Sequence, residues 1–340
     1  MMVPPDIERL LLIAPTWIGD TIMASGLFRA ARAACPTAEL TLAAPTNLLP
    51  IVEGSAWFDR VVPLDSSGVF GPLRAGRRLA RPRPDAVVLL PGSLRSALTA
   101  RWTGAPIRIG TRRDGRGPLL THSIPDSDRT RPASTVDHYM RIARAAFGDE
   151  HDDAGLELTV TERDRESLQR LELGDDPLLL MVPGANRHDK RWPAERFAAV
   201  GAELHRTHGL RPVVAGAPSE GELVRSIVET MDAPGIDGPA SGLDLHALKA
   251  VASRASLAIC NDTGPRHIAA ACGTPLVSLF GPTDHRWTIL PGCIERRLLA
   301  DPFLPEDQVA DRCPEHCAID RITIGDVLEA ARRLLDGPPH

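Results

Sequence analysis

Short apolar runs alternate with amphipathic stretches from the start of the chain. Leu10–Ala14 precedes a helical pattern over Thr21–Cys35, and Leu40–Ala43 precedes one over Thr46–Val52. Arg60–Leu64 and Ala86–Leu90 are followed in the same way by Val69–Arg81 and Leu94–Thr103. A strand-length apolar run followed by helical periodicity is the mark of a βαβ unit, so this half predicts a parallel sheet. Ile107–Gly110 adds a candidate strand, Thr111–Ser134 reads as a loop rich in Gly, Arg and Pro, and Thr135–Phe147 reads as a helix stopped by Gly148.

The pattern lapses over an acidic stretch and then restarts. Leu178–Val182, Pro212–Ala215, Leu257–Cys260 and Leu276–Phe280 read as strands, with helices expected over Ala194–His208, Glu220–Met231, Leu245–Arg254 and His267–Cys272. A last helix, Gly325–Leu335, follows Thr323 with Asp326 three residues on, a start that resembles a capping box. The fold class expected is therefore α/β, with Rossmann-like domains at 1–150 and 178–340 and a connection at 151–177.

Length and composition fit two cores. The chain has 340 residues, 43% hydrophobic and 24% charged, which excludes disordered and fibrous classes. No apolar run reaches membrane-spanning length, and Asp6 and Glu8 precede a run too short for a signal peptide, so a cytoplasmic protein is expected. The cysteines at 35, 260, 272, 293, 313 and 317 are too scattered for a disulfide framework. Only Cys313, His316 and Cys317 resemble a ligand cluster, and the plainer reading of that segment is a loop, so no metal is expected.

Charge changes the picture in two places. Gly71–Arg116 holds eleven arginines against Asp85 and Asp114, which predicts a basic face suited to phosphate, anionic lipid or nucleic acid, or else a solvated surface. One tyrosine and seven phenylalanines leave few stacking platforms, and no nucleic-acid-reading module is present, so no nucleic-acid partner is expected. The chain also has thirty-seven arginines and only two lysines, Lys190 and Lys249. A lysine kept in such a chain suggests a site that needs a compact point charge, and the neighbours of Lys190 make it the stronger candidate.

Ligands of parallel sheets sit beyond the carboxyl ends of the strands, so the loops there are where chemistry is expected. Pro15-Thr16-Trp17-Ile18-Gly19-Asp20 places a carboxylate at a helix start. Asp20 is either an N-cap or a base whose pKa the helix terminus lowers. Pro183–Pro193 offers Gly184 for close backbone approach and Asn186, Arg187, His188 and Lys190 as donors, the outline of an anion site. Asn261-Asp262-Thr263-Gly264-Pro265-Arg266-His267 gives amides and a hydroxyl at another helix start, and the two loops are able to converge on one diphosphate. Neither is a Walker motif, and no G-x-G-x-x-G follows a strand, which argues against ATP hydrolysis and NAD chemistry.

Four segments, APTWIGDTIMASGLFRA, LLPGSLRSALTARWTGAPIRIGTR, VPGANRHDKRWPAERF and NDTGPRHIAAACGTPLVSLFGPTD, together resemble the bacterial lipopolysaccharide heptosyltransferases of glycosyltransferase family 9, the heptosyltransferase II type among them. The resemblance covers nearly the whole chain. It implies a GT-B fold, two Rossmann-like domains whose parallel sheets face a central cleft, and metal-independent, inverting transfer of heptose from ADP-heptose to the lipopolysaccharide inner core. The ADP-sugar is then a co-substrate, with no resident cofactor. By the same resemblance Asp20, beside Gly19, is the general base, and Lys190 meets the donor phosphates. Asp262, Thr263, Gly264 and His267 form the diphosphate loop, and Glu222, or else Glu220, contacts the ribose.

Two further expectations follow from how this chain differs from the family and from its basic stretch. Pro265-Arg266 replaces an apolar pair, so an extra positive charge is expected to face the donor. Ser93, Arg95, Arg112, Arg113 and Arg116 are expected to hold a phosphorylated glycolipid acceptor, with peripheral contact at the inner face of the cytoplasmic membrane. The competing readings are a sugar-nucleotide epimerase and an idle nucleotide-sugar sensor. Acceptor-dependent release of ADP separates the transferase from both.

Overall fold

The computed structural model describes residues 2–126, 133–300 and 317–337. The chain divides into two compact units at Thr159 and Val160.

The first unit carries β1 (Arg9–Ile13), α1 (Ile18–Met23), α2 (Ser25–Ala34), β2 (Glu39–Ala44), α3 (Leu49–Val52), β3 (Arg60–Pro63), α4 (Gly71–Leu79), β4 (Ala86–Leu89), α5 (Leu94–Trp102), β5 (Ile107–Arg112), β6 (His122–Pro125) and α6 (Thr135–Phe147). Its six strands are parallel in the order β3-β2-β1-β4-β5-β6. The central strands are buried on both faces, which is why they read as unbroken apolar runs. Leu11, Ile13, Val87 and Leu89 pack with Ala97 and Ala100 of α5. Where one long helix was expected over Thr21–Cys35, the chain makes α1 and α2 with a break at Ala24.

The second unit carries α7 (Glu162–Gln169), β7 (Leu178–Val182), α8 (Ala194–His208), β8 (Arg211–Val214), α9 (Gly221–Thr230), β9 (Ile236–Asp237), α10 (Leu245–Arg254), β10 (Ala255–Asn261), α11 (Gly264–Ala271), β11 (Leu276–Phe280), β12 (Glu295–Leu299) and α12 (Ile324–Leu335). Its six strands run parallel in the order β12-β11-β10-β7-β8-β9, which repeats the order of the first sheet. Leu179, Met181, Ile259 and Val277 form its core with Trp192, Phe197 and Val327. The indole of Trp192 donates to the Ile322 carbonyl at 2.8 Å, holding the chain before α12 against the start of α8. The capping box expected at Thr323 is present, with Asp326 accepting from the Thr323 amide at 2.9 Å.

The stretch expected to be a bare connection contains α7, which Thr161 and Asp164 cap and which packs on α10. Asp164, fully buried, accepts from the Thr161 amide at 2.7 Å and bridges His246 Nδ1 at 2.6 Å and Lys249 Nζ at 2.8 Å. The second lysine of the chain is thus a structural tie between two helices. The division between the units, at Thr159 and Val160, falls inside the stretch expected to connect them.

Candidate active site

In each sheet the strand order reverses between two central neighbours, β1 and β4 in the first and β7 and β10 in the second. Crossover connections leave on opposite sides there, which opens a crevice at the carboxyl ends. The sequence loops that carry chemistry follow these four strands.

In the first unit, the loop after β1 enters α1 with Trp17 as N-cap, so Asp20 falls in the first turn and is not the cap. Its half-buried carboxylate makes no hydrogen bond to the described residues. Burial without a partner disfavours the charged form, and the pKa rises from 3.8 to about 6. This reverses the expectation of a lowered value, because loss of water outweighs a helix of only six residues. Sequence reasoning passed over Tyr139 of α6, the single tyrosine, which is buried. Its phenol is pushed well above 10, first by burial and then by the charge of Asp20. Only its place on a core-facing helix was visible in the sequence. Gly19 is buried beside Asp20.

The loop after β4 is held by arginine. Arg116 is fully buried, with Nε 2.7 Å from the Thr111 carbonyl, Nη1 2.5 Å from the Pro91 carbonyl and Nη2 3.0 Å from Thr111 Oγ1. It therefore does not join an exposed docking face; its five donors suit it to tie β5 to the loop after β4. Ser93 is the N-cap of α5, accepting from the Ser96 amide at 3.2 Å. Arg95 donates to the carbonyls of Ser66 and Gly68, shaping the loop before α4. Arg112 and Arg113 are exposed, with Asp114 Oδ1 3.7 Å from Arg113 Nε.

In the second unit the loops after β7 and β10 are stapled together. Asn261, fully buried, donates to the Pro183 carbonyl at 2.7 Å and accepts from the Trp192 amide at 3.4 Å. Lys190 Nζ lies 3.4 Å from Asp262 Oδ2 across the same gap. Burial alone would raise the Asp262 pKa, but Arg266 and then Lys190 hold it below the usual carboxylate range. Thr263 is the N-cap of α11, and the Gly264 amide that opens the first turn lies outside the helix ladder, while Pro265 has no N–H and the Arg266 amide donates to the Thr263 carbonyl at 3.2 Å.

His267 is buried, and its Nδ1 lies 3.1 Å from the Thr263 carbonyl. Because a carbonyl only accepts, Nδ1 carries the proton and Nε2 presents a lone pair. Nε2 is buried without a partner among the described residues. Desolvation, then Arg266, lowers the pKa to about 4, so the ring is neutral at pH 7. In this state Nε2 is an acceptor.

One expectation about this unit is corrected. Arg266 does not face a donor. Its guanidinium, fully buried, turns into the sheet, where Glu295 Oε1 lies 2.6 Å from Nη2, Ser278 Oγ 2.9 Å from Nε and the Phe280 ring 4.9 Å away. A buried guanidinium needs carboxylate partners, and it has Glu295 in close contact and Asp262 Oδ1 at 3.7 Å from Nη1. Glu222 is exposed on α9, and Glu220 is the acidic residue at the loop. The Glu220 carboxylate accepts from the Ala217 amide at 2.9 Å and stands so close to Gly184 that a Cβ there would come within 2.3 Å of it. Asn186 is exposed at the loop surface. Cys313 and His316 lie outside the described residues, and Cys317 is buried.

A carboxylate with no hydrogen-bond partner among the described residues thus stands at the switch point of one Rossmann-like unit, and a lysine with a helix N-terminus stands at that of the other. Residues 73–296 match the model of glycosyltransferase family 9 (heptosyltransferase), and the chain belongs to that family of transferases. It is 27% identical over 301 residues to lipopolysaccharide heptosyltransferase 2 of Escherichia coli K12, covering 82% of this chain and 84% of that one. Over a shorter span, 126 residues and 36% of each chain, it is 34% identical to an Escherichia coli lipopolysaccharide heptosyltransferase 3. In fold it matches the family 9 glycosyltransferase of Veillonella parvula with a TM-score of 0.86, 24% identity and 99% of both chains covered. Escherichia coli ADP-heptose lipopolysaccharide heptosyltransferase II matches at 0.80, with 24% identity and 96% and 98% covered. The two parallel six-stranded sheets are thus the GT-B-like architecture of family 9. Among the described residues no helix is long and apolar enough to cross a membrane.

Proposed function

We propose that this transferase moves a heptose from ADP-heptose to a lipopolysaccharide inner-core acceptor, with inversion at the anomeric carbon. Asp20 takes the proton of an acceptor hydroxyl, the oxygen attacks the anomeric carbon, and ADP departs. The observation that carries this reading is the Asp20 carboxylate, buried enough to hold its pKa at about 6 and bonded to no described residue. A structural acid is paired, whereas a base matched to neutral pH needs this environment.

Lys190 and the Gly264 amide at the start of α11, beside Thr263, take the negative charge that grows on the β-phosphate. Asp262 holds the lysine in place from 3.4 Å. His267, neutral, accepts a hydrogen bond from a hydroxyl of the donor, which refines the phosphate role implied by the family resemblance. Glu220 takes the ribose role assigned first to Glu222. Arg112 and Arg113 meet acceptor phosphate, while Arg95 and Arg116 act through the loops they fix. The acceptor is a glycolipid, and the protein meets it at the inner face of the cytoplasmic membrane.

The test is to incubate the protein with a panel of nucleotide sugars, with and without an inner-core acceptor, and to follow ADP. Release from ADP-heptose only when acceptor is present supports the reading. Turnover without acceptor favours an epimerase, and binding without turnover favours a sensor.

A further inference from the structure

Helix α4 presents two unlike faces. Its inner residues Ala75 and Gly76 are small and buried, and Gly76 lies so close to α5 that a Cβ there would meet Trp102 Cβ at 2.4 Å. Its outer face is set by Phe70, Arg74, Arg77 and Arg78, spaced to fall on one side of a helix. Val69 is 89% exposed and Phe70 67%, side by side at the head of the helix. The Arg77 guanidinium lies 5.9 Å over the Trp102 ring, itself exposed.

From Asp65 to Arg113 the acidic residues are Asp65 and Asp85: Asp65, exposed, accepts from the Ser67 amide at 2.8 Å and feels the charge of Arg74, and the Asp85 carboxylate is occupied by the amides of Glu8 and Arg9 at 3.1 and 2.9 Å. At the far end of the helix, Arg78 and Arg81 border a cavity of about 190 Å³ whose wall also holds Arg9 and Arg60, with Glu39 its one carboxylate among the described residues. Scattered exposed apolar residues need no explanation. An adjacent Val-Phe pair heading a row of arginines joins a wedge to a set of phosphate-binding forks.

We infer that the outer face of α4, from Val69 and Phe70 to Arg78 and Arg81, docks this protein on an anionic lipid bilayer. Val69 and Phe70 enter the headgroup layer while the arginines engage lipid phosphates, a combination that a bilayer rewards on both counts and a nucleic acid only on the second. The inference deepens the proposed function by giving the membrane contact its residues, all of them apart from the arginines assigned to the acceptor.

The test uses the whole chain and vesicles alone, without nucleotide sugar or acceptor, so that its outcome is independent of heptose transfer. Co-sedimentation is measured on phosphatidylcholine vesicles with and without about 30% phosphatidylglycerol, at about 0.1 M and about 0.5 M salt. Wild type is expected on the anionic vesicles at low salt, at least about tenfold more weakly on the neutral ones, and weakly at high salt. Since each arginine near such a surface is worth about fivefold, the double variant Arg74→Glu/Arg78→Glu should lose about 25-fold or more. Val69→Ser/Phe70→Ser should lose about tenfold and keep the salt dependence. All four side chains are exposed or at loop positions, and an unchanged circular dichroism spectrum checks that the variants fold. Equal binding to both vesicle types, or variants that sediment like wild type, overturns the inference. So does a surface that duplex DNA blocks completely and that ignores the loss of Val69 and Phe70, which would make it a general polyanion site.

Discussion

Replacing Asp20 with asparagine should make the protein more stable while nearly abolishing its activity. The carboxyl is held at about 6 where an unstructured aspartate has 3.8. At 1.36 kcal/mol per pKa unit, keeping it ionised in the fold opposes folding by about 3 kcal/mol at most, and by about 2 once solvent reaching the half-buried group is allowed for. The folded state binds this proton more tightly than the unfolded chain does. Its contribution to stability is therefore full below pH 3.8 and is lost as the pH rises through 6. Asparagine has the shape of the protonated acid and carries no such burden. Thermal melts across pH 4 to 8 should show Asp20→Asn above wild type by about 4–8 °C at pH 8, at roughly 2–4 °C per kcal/mol for a unit of this size, with the gap closing toward pH 4. Acceptor-dependent turnover should fall by about 10²–10⁴-fold, the usual worth of a general base. A variant no more stable than wild type at pH 8, or a gap that does not change with pH, would refute the argument that Asp20 is ionised at a cost.

Lys190→Ala should weaken ADP binding about 10- to 100-fold by calorimetry as well as slow turnover, since a charge-assisted contact is worth about 1.5–3 kcal/mol; unchanged ADP affinity would move the phosphate site elsewhere. Arg266→Leu should cost about 3–5 kcal/mol in chemical denaturation by stranding Glu295, and Arg266→Leu/Glu295→Leu should recover much of it; equal loss in both would show that the pair is not the reason. Arg112→Glu/Arg113→Glu should raise the acceptor KM and leave the donor KM alone, and added salt should do the same to wild type, because such attraction is screened within about 8 Å at physiological ionic strength. If neither perturbation moves acceptor kinetics, these arginines are solvent-facing only.

The buried strands announced themselves in the sequence because burial on both faces demands apolar residues throughout. The strands that escaped notice, β6, β9 and β12, all lie at sheet edges. An edge strand such as Glu295–Leu299, ERRLL, is half-solvated and carries no apolar signature. Helix α7 was hidden in a stretch of Asp and Glu, because its stability comes from a cap and a buried Asp164–Lys249 contact that no periodicity displays.

At the site, the loops were legible because strand ends carry the chemistry in a parallel sheet. The direction each side chain takes was not. Arg266 and Arg116 are as basic as Arg112 in sequence, yet burial makes them internal ties. That Glu220 lies against the loop after β7 while Glu222 faces solvent depends on Gly184, whose missing Cβ leaves room for the Glu220 carboxylate. The sign of the Asp20 shift turned on how much water the fold removes, which position at a helix start does not reveal.

The central claim is that Asp20 is the base of an acceptor-dependent heptosyl transfer, and the pH dependence of kcat/KM for the acceptor tests it most directly, since that ratio reports the ionisation of the free enzyme's base. With the Asp20 carboxyl at about 6, the ratio should rise about tenfold per pH unit below 6 and level off above about 7. A profile flat from pH 5 to 8, or one that falls as the pH rises through 6, would contradict it.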